Sequence, residues 1–237
     1  MKSKDSVFRV LLDFIYPPLC LSCGRLMGSG ADKLCGDCWG SIPRLSSEDH
    51  LYRETREKLL LDGAVDDLRA LFLFEKGGAF QHIAHAVKYR SYESLARMLG
   101  RTLGESLKEE VREYDALVPV PLHRVKLRER GYNQAELIAR GVHEVTAIPV
   151  AAAAVHRSRH TRTQTKLSHD ERRKNMDGAF EPDAAGMLNG ARVLLIDDVI
   201  TTGATTTACA AAIRAAGASR VVAAAVALAQ KDSDALV

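Results

Sequence analysis

Residues 192–205 limit what this chain can fold into more than any other stretch. They read Arg-Val-Leu-Leu-Ile-Asp-Asp-Val-Ile-Thr-Thr-Gly-Ala-Thr. The apolar run over 191–196 predicts a buried strand. That strand runs straight into two carboxylates, Asp197 and Asp198. Thr201, Thr202 and Gly203 then form a hydroxyl-rich loop, and a helix opens at Ala204 and Thr205. The first N–H groups of a helix lack partners within it and sit at the positive end of its dipole. With the threonine hydroxyls added, that end suits a phosphate monoester. Two carboxylates at a strand end can accept from two ribose hydroxyls, or hold a metal that does. Side by side, these describe a ribose 5-phosphate site. The competing account is a solvated acid pair ahead of an ordinary threonine-capped helix. The chain has neither GxxxxGK[ST] nor a GxGxxG after a strand, which excludes a P-loop and a dinucleotide fingerprint.

The neighbouring pattern agrees with a strand–helix repeat. Strands are expected at 71–74, 116–120, 148–155 and 220–228. Helices are expected from Gly77-Gly78 through Val87, then over 94–111, 133–145 and 204–216, with Gly217 as the last stop. Such alternation predicts an α/β fold, a parallel sheet wrapped by helices. With 237 residues, 46% of them apolar, the chain can bury a sizeable core. Residues 64–237 form the expected α/β domain. Residues 1–63 form a separate N-terminal part: a short helix with Phe8, Leu11, Leu12 and Ile15 on one face, a cysteine-rich segment, and a charged connector over 46–63.

Cys20-x2-Cys23 and Cys35-x2-Cys38 are two CxxC pairs eleven residues apart. Each CxxC turn brings two thiolates to one side of a knuckle, and two knuckles complete a tetrahedron around Zn2+. All four positions are then filled by protein, so the metal is structural. A redox dithiol or an iron–sulfur cluster are the competing accounts. Cys209, in an alanine- and threonine-rich helix, reads as a small buried hydrophobe. The longest apolar runs fall well short of the ~18 residues a membrane span needs, and no signal-peptide pattern opens the chain. A cytoplasmic protein is expected, where disulfides are rare.

The net charge is only +3, with 33 basic residues against 30 acidic ones, so charge must be judged locally. Residues 156–174 hold seven Arg and Lys against Asp170 and Glu171. Arg124, Lys126, Arg128 and Arg130 follow the strand at 116–120 and are offset only by Glu129. Both stretches have a bland account as solvated basic segments. Asn133 suits the N-cap of the next helix, or with Gln134 it faces the substrate. Lys88 and Arg90 at a helix end are favourable on dipole grounds alone.

Residues 196–208 resemble the phosphoribosyl-pyrophosphate (PRPP) motif of type I phosphoribosyltransferases. The whole chain resembles the ComF family, which includes GntX-type proteins. The likeness rests on the cysteine pairs, on Lys88-Tyr89-Arg90, and on Val118-Pro119-Val120-Pro121-Leu122-His123-Arg124. It continues through Arg128-Glu129-Arg130-Gly131-Tyr132-Asn133-Gln134, the stretch 157–167 and the PRPP motif. The resemblance implies a type I phosphoribosyltransferase fold behind a zinc ribbon. It implies PRPP held by Thr201, Thr202, Gly203, Ala204, Thr205, Lys126 and Lys88. Asp197, Asp198, Arg124 and Arg159 become the catalytic set, and Mg2+ accompanies PRPP. Arg159, Thr163 and Gln164 fall where the family carries a loop that closes over pyrophosphate. The acceptor is not legible, so turnover itself stays open. The family's link to DNA uptake and competence sets a second reading: a single-stranded DNA-binding or PRPP-sensing scaffold, working with DNA-processing proteins. In that reading the basic stretch tracks phosphates and Tyr132 or Trp39 stacks on bases. A homo-oligomer is compatible with either.

Overall fold

The computed structural model describes residues 17–28, 33–89, 92–158, 178–183 and 188–230. The expected helix around Phe8, together with Arg90, Arg159, Thr163 and Gln164, lies outside the described residues. In chain order the elements are α1 (Gly36–Gly40), α2 (His50–Leu60), β1 (Asp67–Phe74), α3 (Ala79–Tyr89) and α4 (Glu93–Ser106). A 3-10 turn (Lys108–Glu113), β2 (Ala116–Pro119), α5 (Arg124–Arg130) and α6 (Gln134–Thr146) follow. The last are β3 (Val155–Arg157), β4 (Phe180–Pro182), β5 (Arg192–Ile200), α7 (Ala204–Ala215) and β6 (Arg220–Ala229).

The main sheet has the order β1-β6-β5-β2, and every pairing in it is parallel. The side-chain period of two sorts each strand between two layers. Leu117, Leu194, Ile196, Val222 and Ala224 point to the layer of α3, α4 and α6. Val118, Val193, Leu195, Val221 and Ala223 point to the layer of α2 and α7. Both faces are covered, which is why these strands read as continuous apolar runs.

Three expectations change. The charged connector contains a helix, α2, that buries Tyr52, Thr55 and Leu59 against the sheet. Ahead of it, Leu45 N–H donates to Leu71 O at 2.8 Å and Leu73 N–H to Pro43 O at 2.9 Å. The N-terminal part thus supplies an antiparallel strip along the β1 edge, covering groups that would otherwise be open to pairing. The strand expected at 148–155 shrinks to one bridge, Leu117 with Val150. Pro149 has no N–H to extend a ladder, and residues 152–153 turn. The basic stretch after β2, readable as a mere solvated segment, is a helix: His123 Nδ1 accepts from Val125 N–H at 3.2 Å and Gly131 closes it in the left-handed region at φ 80°.

Helices α4 and α6 cross at Gly100 and Gly141. A Cβ on Gly141 would lie 2.2 Å from Arg97 O, and one on Gly100 would lie 2.1 Å from Ile138 O. Gly141→Ala is therefore expected to destabilise the protein by about 3 kcal/mol or more, because overpacking against backbone outweighs the ~1 kcal/mol gain in helix propensity. Denaturant unfolding checks this; an unchanged midpoint would refute a backbone-to-backbone crossing.

Candidate functional site

The C-terminal ends of β2 and β5 border a cleft of about 230 Å3. Open α/β sheets bind ligands at this edge. Asp197 and Asp198 line the cleft from within β5, which continues to Ile200. Thr201, Thr202, Gly203, Ala204 and Thr205 line it as the loop and the first turn of α7. Gly203 is the N-cap of α7 and takes φ 78°, and a Cβ there would lie 2.8 Å from Leu59 Cδ2. The glycine is thus required twice, by its conformation and by the approach of α2. It also has no side chain with which to cap, so the first N–H groups of α7 are left for a ligand. An ordinary threonine-capped helix is not what stands here.

Lys88, from α3, reaches the acid pair: its Nζ lies 3.1 Å from Asp198 Oδ2. Burial pushes the Asp198 carboxyl up, but the charge and hydrogen bond of Lys88 outweigh it and hold Asp198 below the ordinary carboxylate range. At Asp197, burial and then the neighbouring Asp198 charge push the carboxyl well above that range. The Asp198 N–H, donating to Oδ1 at 2.9 Å, and the Lys88 charge favour the ionised form but are outweighed. The pair therefore differs in its readiness to ionise, and it titrates as a unit.

Opposite these acids stands a group of cations. Lys126 and Arg130 line the cleft from α5, and Arg157 lines it from β3 with its guanidinium 5.4 Å from the centre of the Phe180 ring. Burial and then the charges of Arg130, Arg157 and Lys88 lower the Lys126 ammonium. Burial lowers Arg157, with Asp197 acting in the opposite sense. Cations that disfavour one another's charge form a positive field that an anion relieves.

Of the expected ligand-binding and catalytic residues, the structure brings Lys88, Lys126, Asp197, Asp198 and residues 201–205 to one cleft. Arg124 is not among them: it is exposed and does not line the cleft. The reason is helical geometry. In a helix, 126 and 130 share one face while 124 and 128 share another. Arg159 lies outside the described residues. Arg130 and Arg157 were legible only as members of basic stretches. Asn133 is the N-cap of α6, since Oδ1 accepts from Ala135 N–H at 3.1 Å; its Nδ2 donates to Val120 O at 3.0 Å, and the residue also lines the cleft. Tyr132 Oη donates to Val87 O, and Trp39 packs edge-on to Phe72 with ring centres 5.7 Å apart. Both aromatics make contacts within the protein and stay half-buried.

The second centre is the cysteine quartet. The Sγ atoms of Cys20, Cys23, Cys35 and Cys38 all lie within 4.8 Å of one another. A tetrahedron with ~2.3 Å bonds has edges of about 3.8 Å, and Cys23 Sγ to Cys35 Sγ is 3.8 Å. Gly24 allows the first knuckle to turn at φ 70°. Backbone N–H groups point at sulfur, from Cys35 to Cys20 Sγ at 3.3 Å and from Cys38 to Cys35 Sγ at 3.5 Å. The donor set fits structural zinc. Burial raises the Cys20 thiol, but the backbone N–H groups of Cys23, Cys35 and Ser22 outweigh it and bring it to about 6. Four thiolates this close need a cation to ionise together. Cys209 is fully buried, as expected for a small hydrophobe.

A parallel sheet with such a site, preceded by a four-cysteine cluster, resembles a phosphoribosyltransferase domain behind a zinc ribbon. Residues 128–236 match the phosphoribosyl transferase domain family, and residues 11–49 match the double zinc ribbon domain family. The chain is 33% identical over 118 residues to competence protein F of Haemophilus influenzae, across 47% of this chain and 52% of that protein. The match thus spans about half the length of that relative, and the resemblance to the ComF family stands. Among solved structures, a glutamine PRPP amidotransferase from B. subtilis, complexed with ADP and GMP, is similar at 23% identity and TM-score 0.40. It covers 60% of this chain and 30% of its own. A purine phosphoribosyltransferase from Pyrococcus horikoshii is similar at 18% identity and TM-score 0.34, covering 55% and 72%. No helix among the described residues is long and apolar enough to cross a membrane.

Proposed function

We propose that the cleft binds PRPP and that the protein transfers its phosphoribosyl group, with Mg2+, to an acceptor in DNA uptake. One observation carries this reading: an uncapped helix N-terminus, an acid pair and a set of cations share one cleft. The α7 amides with Thr202 and Thr205 hold the 5-phosphate. Asp197 and Asp198 take the ribose hydroxyls and moderate positive charge developing at the ribose C1 as pyrophosphate leaves. Lys126, Arg130 and Arg157 neutralise that leaving group. Asp197 and Asp198 are the lining carboxylates that would face an accompanying Mg2+, which would offset negative charge on the leaving pyrophosphate. The zinc thiols suit a reducing compartment, the cytoplasm. The likeness to competence protein F of Haemophilus influenzae supports the link to competence.

The second reading is a scaffold that binds PRPP without turnover, alongside single-stranded DNA and DNA-processing proteins. It is favoured by the acid pair itself. These are the only carboxylates among the described lining residues; Lys88 holds Asp198, and burial with the Asp198 charge pushes Asp197 toward its protonated form, so neither is placed as a ready general base. Calorimetric titration of PRPP into the zinc-loaded protein tests what both readings share. Binding that strengthens with Mg2+ is expected; no binding with Mg2+ present would overturn the site.

A further inference from the structure

Gln134 is a cleft residue whose buried side-chain amide the account above leaves unused. It lines the cleft at the first position of α6 and is only 2% exposed. Its side-chain Nε2 is buried and makes no hydrogen bond to any described residue. An amide donor left this way costs free energy, and native structures keep such groups mostly where something else completes them. Its neighbours say what would. Asn133 and Ala135 line the cleft beside it, so the N-terminus of the thirteen-residue α6 faces the same space. Lys126 and Arg130 stand on the same β2 side. This wall offers ammonium, guanidinium and amide donors, while the cleft's two carboxylates come from β5 on the other side. A ligand group here must present acceptor oxygens and carry negative charge.

We infer that Gln134 is a specificity-determining residue that donates its amide N–H to the pyrophosphate of the ligand. The inference rests on the PRPP reading of the cleft and adds to it a contact that charge does not supply. Lysine and arginine attract any anion, whereas a fixed neutral donor selects for an oxygen at one place. It divides the cleft into two halves: α7 and the acid pair for ribose 5-phosphate, α6 and Gln134 for the group at the ribose C1.

The test titrates PRPP, inorganic pyrophosphate and ribose 5-phosphate into wild type, Gln134→Leu and Gln134→Glu, each with Mg2+. Loss of a hydrogen bond to a charged group predicts a fall of roughly 10- to 100-fold for PRPP and pyrophosphate in Gln134→Leu. Gln134→Glu keeps the length of the side chain, and its charge is favourable at a helix N-terminus. That variant stays folded even if the leucine does not, and it should bind pyrophosphate still more weakly by repulsion. Ribose 5-phosphate should bind all three proteins alike. Unchanged pyrophosphate and PRPP affinity in both variants, or an equal loss for all three ligands, would overturn the assignment while leaving PRPP binding by wild type intact. Wild type that fails to bind PRPP would instead remove the reading on which the inference rests.

Discussion

Asp197→Asn is expected to melt higher than wild type at neutral pH and yet bind PRPP more weakly, while Asp198→Asn loses on both counts. The two carboxylates are neighbours in sequence but opposite in energetics. Asp197 is pushed above the ordinary carboxylate range by burial and by Asp198, so ionising it costs stability. A group raised in the folded state favours folding below its unfolded value and loses that advantage as pH rises through its folded value. Asparagine mimics the protonated form, so the gain should grow as pH rises above the unfolded value and vanish as the pH falls to ~4. Asp198 is held below the ordinary range, its burial outweighed by Lys88. Its contribution is present above the unfolded carboxylate value and lost as pH falls through the folded one. Removing it leaves Lys88, only 14% exposed, without its 3.1 Å partner. Breaking such a pair costs about 3 kcal/mol. For binding, each loses a carboxylate acceptor for a ribose hydroxyl, a loss of roughly tenfold or more. Thermal denaturation at neutral and acid pH, paired with calorimetry, reads both effects. Equal melting of the two variants would refute the asymmetry, and unchanged PRPP affinity in both would refute the ribose contact.

Removing zinc should unfold the ribbon, with a large red shift in tryptophan emission. Trp39 is the only tryptophan and follows Cys38 directly. Its ring is held against Phe72 of β1, beside Leu34 and Ile42. The ribbon has little apolar area of its own, so the metal supplies most of its folding free energy, on the order of 10 kcal/mol in comparable zinc peptides. A chelator should expose the indole, and Zn2+ but not Mg2+ should restore it. Emission that ignores the chelator would mean that contacts with the sheet edge hold the ribbon without metal.

Much of the site was legible because its parts are covalent neighbours. The run from Val193 to Thr205 contains its own strand, acid pair, loop and helix start, so local spacing already states the chemistry. The CxxC pairs are legible for the same reason, since two-residue spacing fixes sulfur to one side of a turn. The connector hid α2 because its buried stripe, Tyr52, Thr55 and Leu59, is sparse among charges. Arg124 was misplaced because basic residues at every second position look alike until a helix sorts them onto two faces. Residues 148–155 read as a strand by composition, but Pro149 cannot carry the ladder.

By itself, the sequence determined the α/β class, the cysteine quartet and the half of the cleft made by the acid pair and the threonine loop, because each follows from period or spacing within a few residues. Only the tertiary structure decided that Lys88 meets Asp198, that Arg157 crosses to the acid pair, and that α2 props Gly203. It alone turned Lys126 and Arg130 inward while Gln134 kept a buried donor at the cleft. Those contacts join residues far apart in the chain, and their energies depend on burial and on charge across space, which no local pattern encodes.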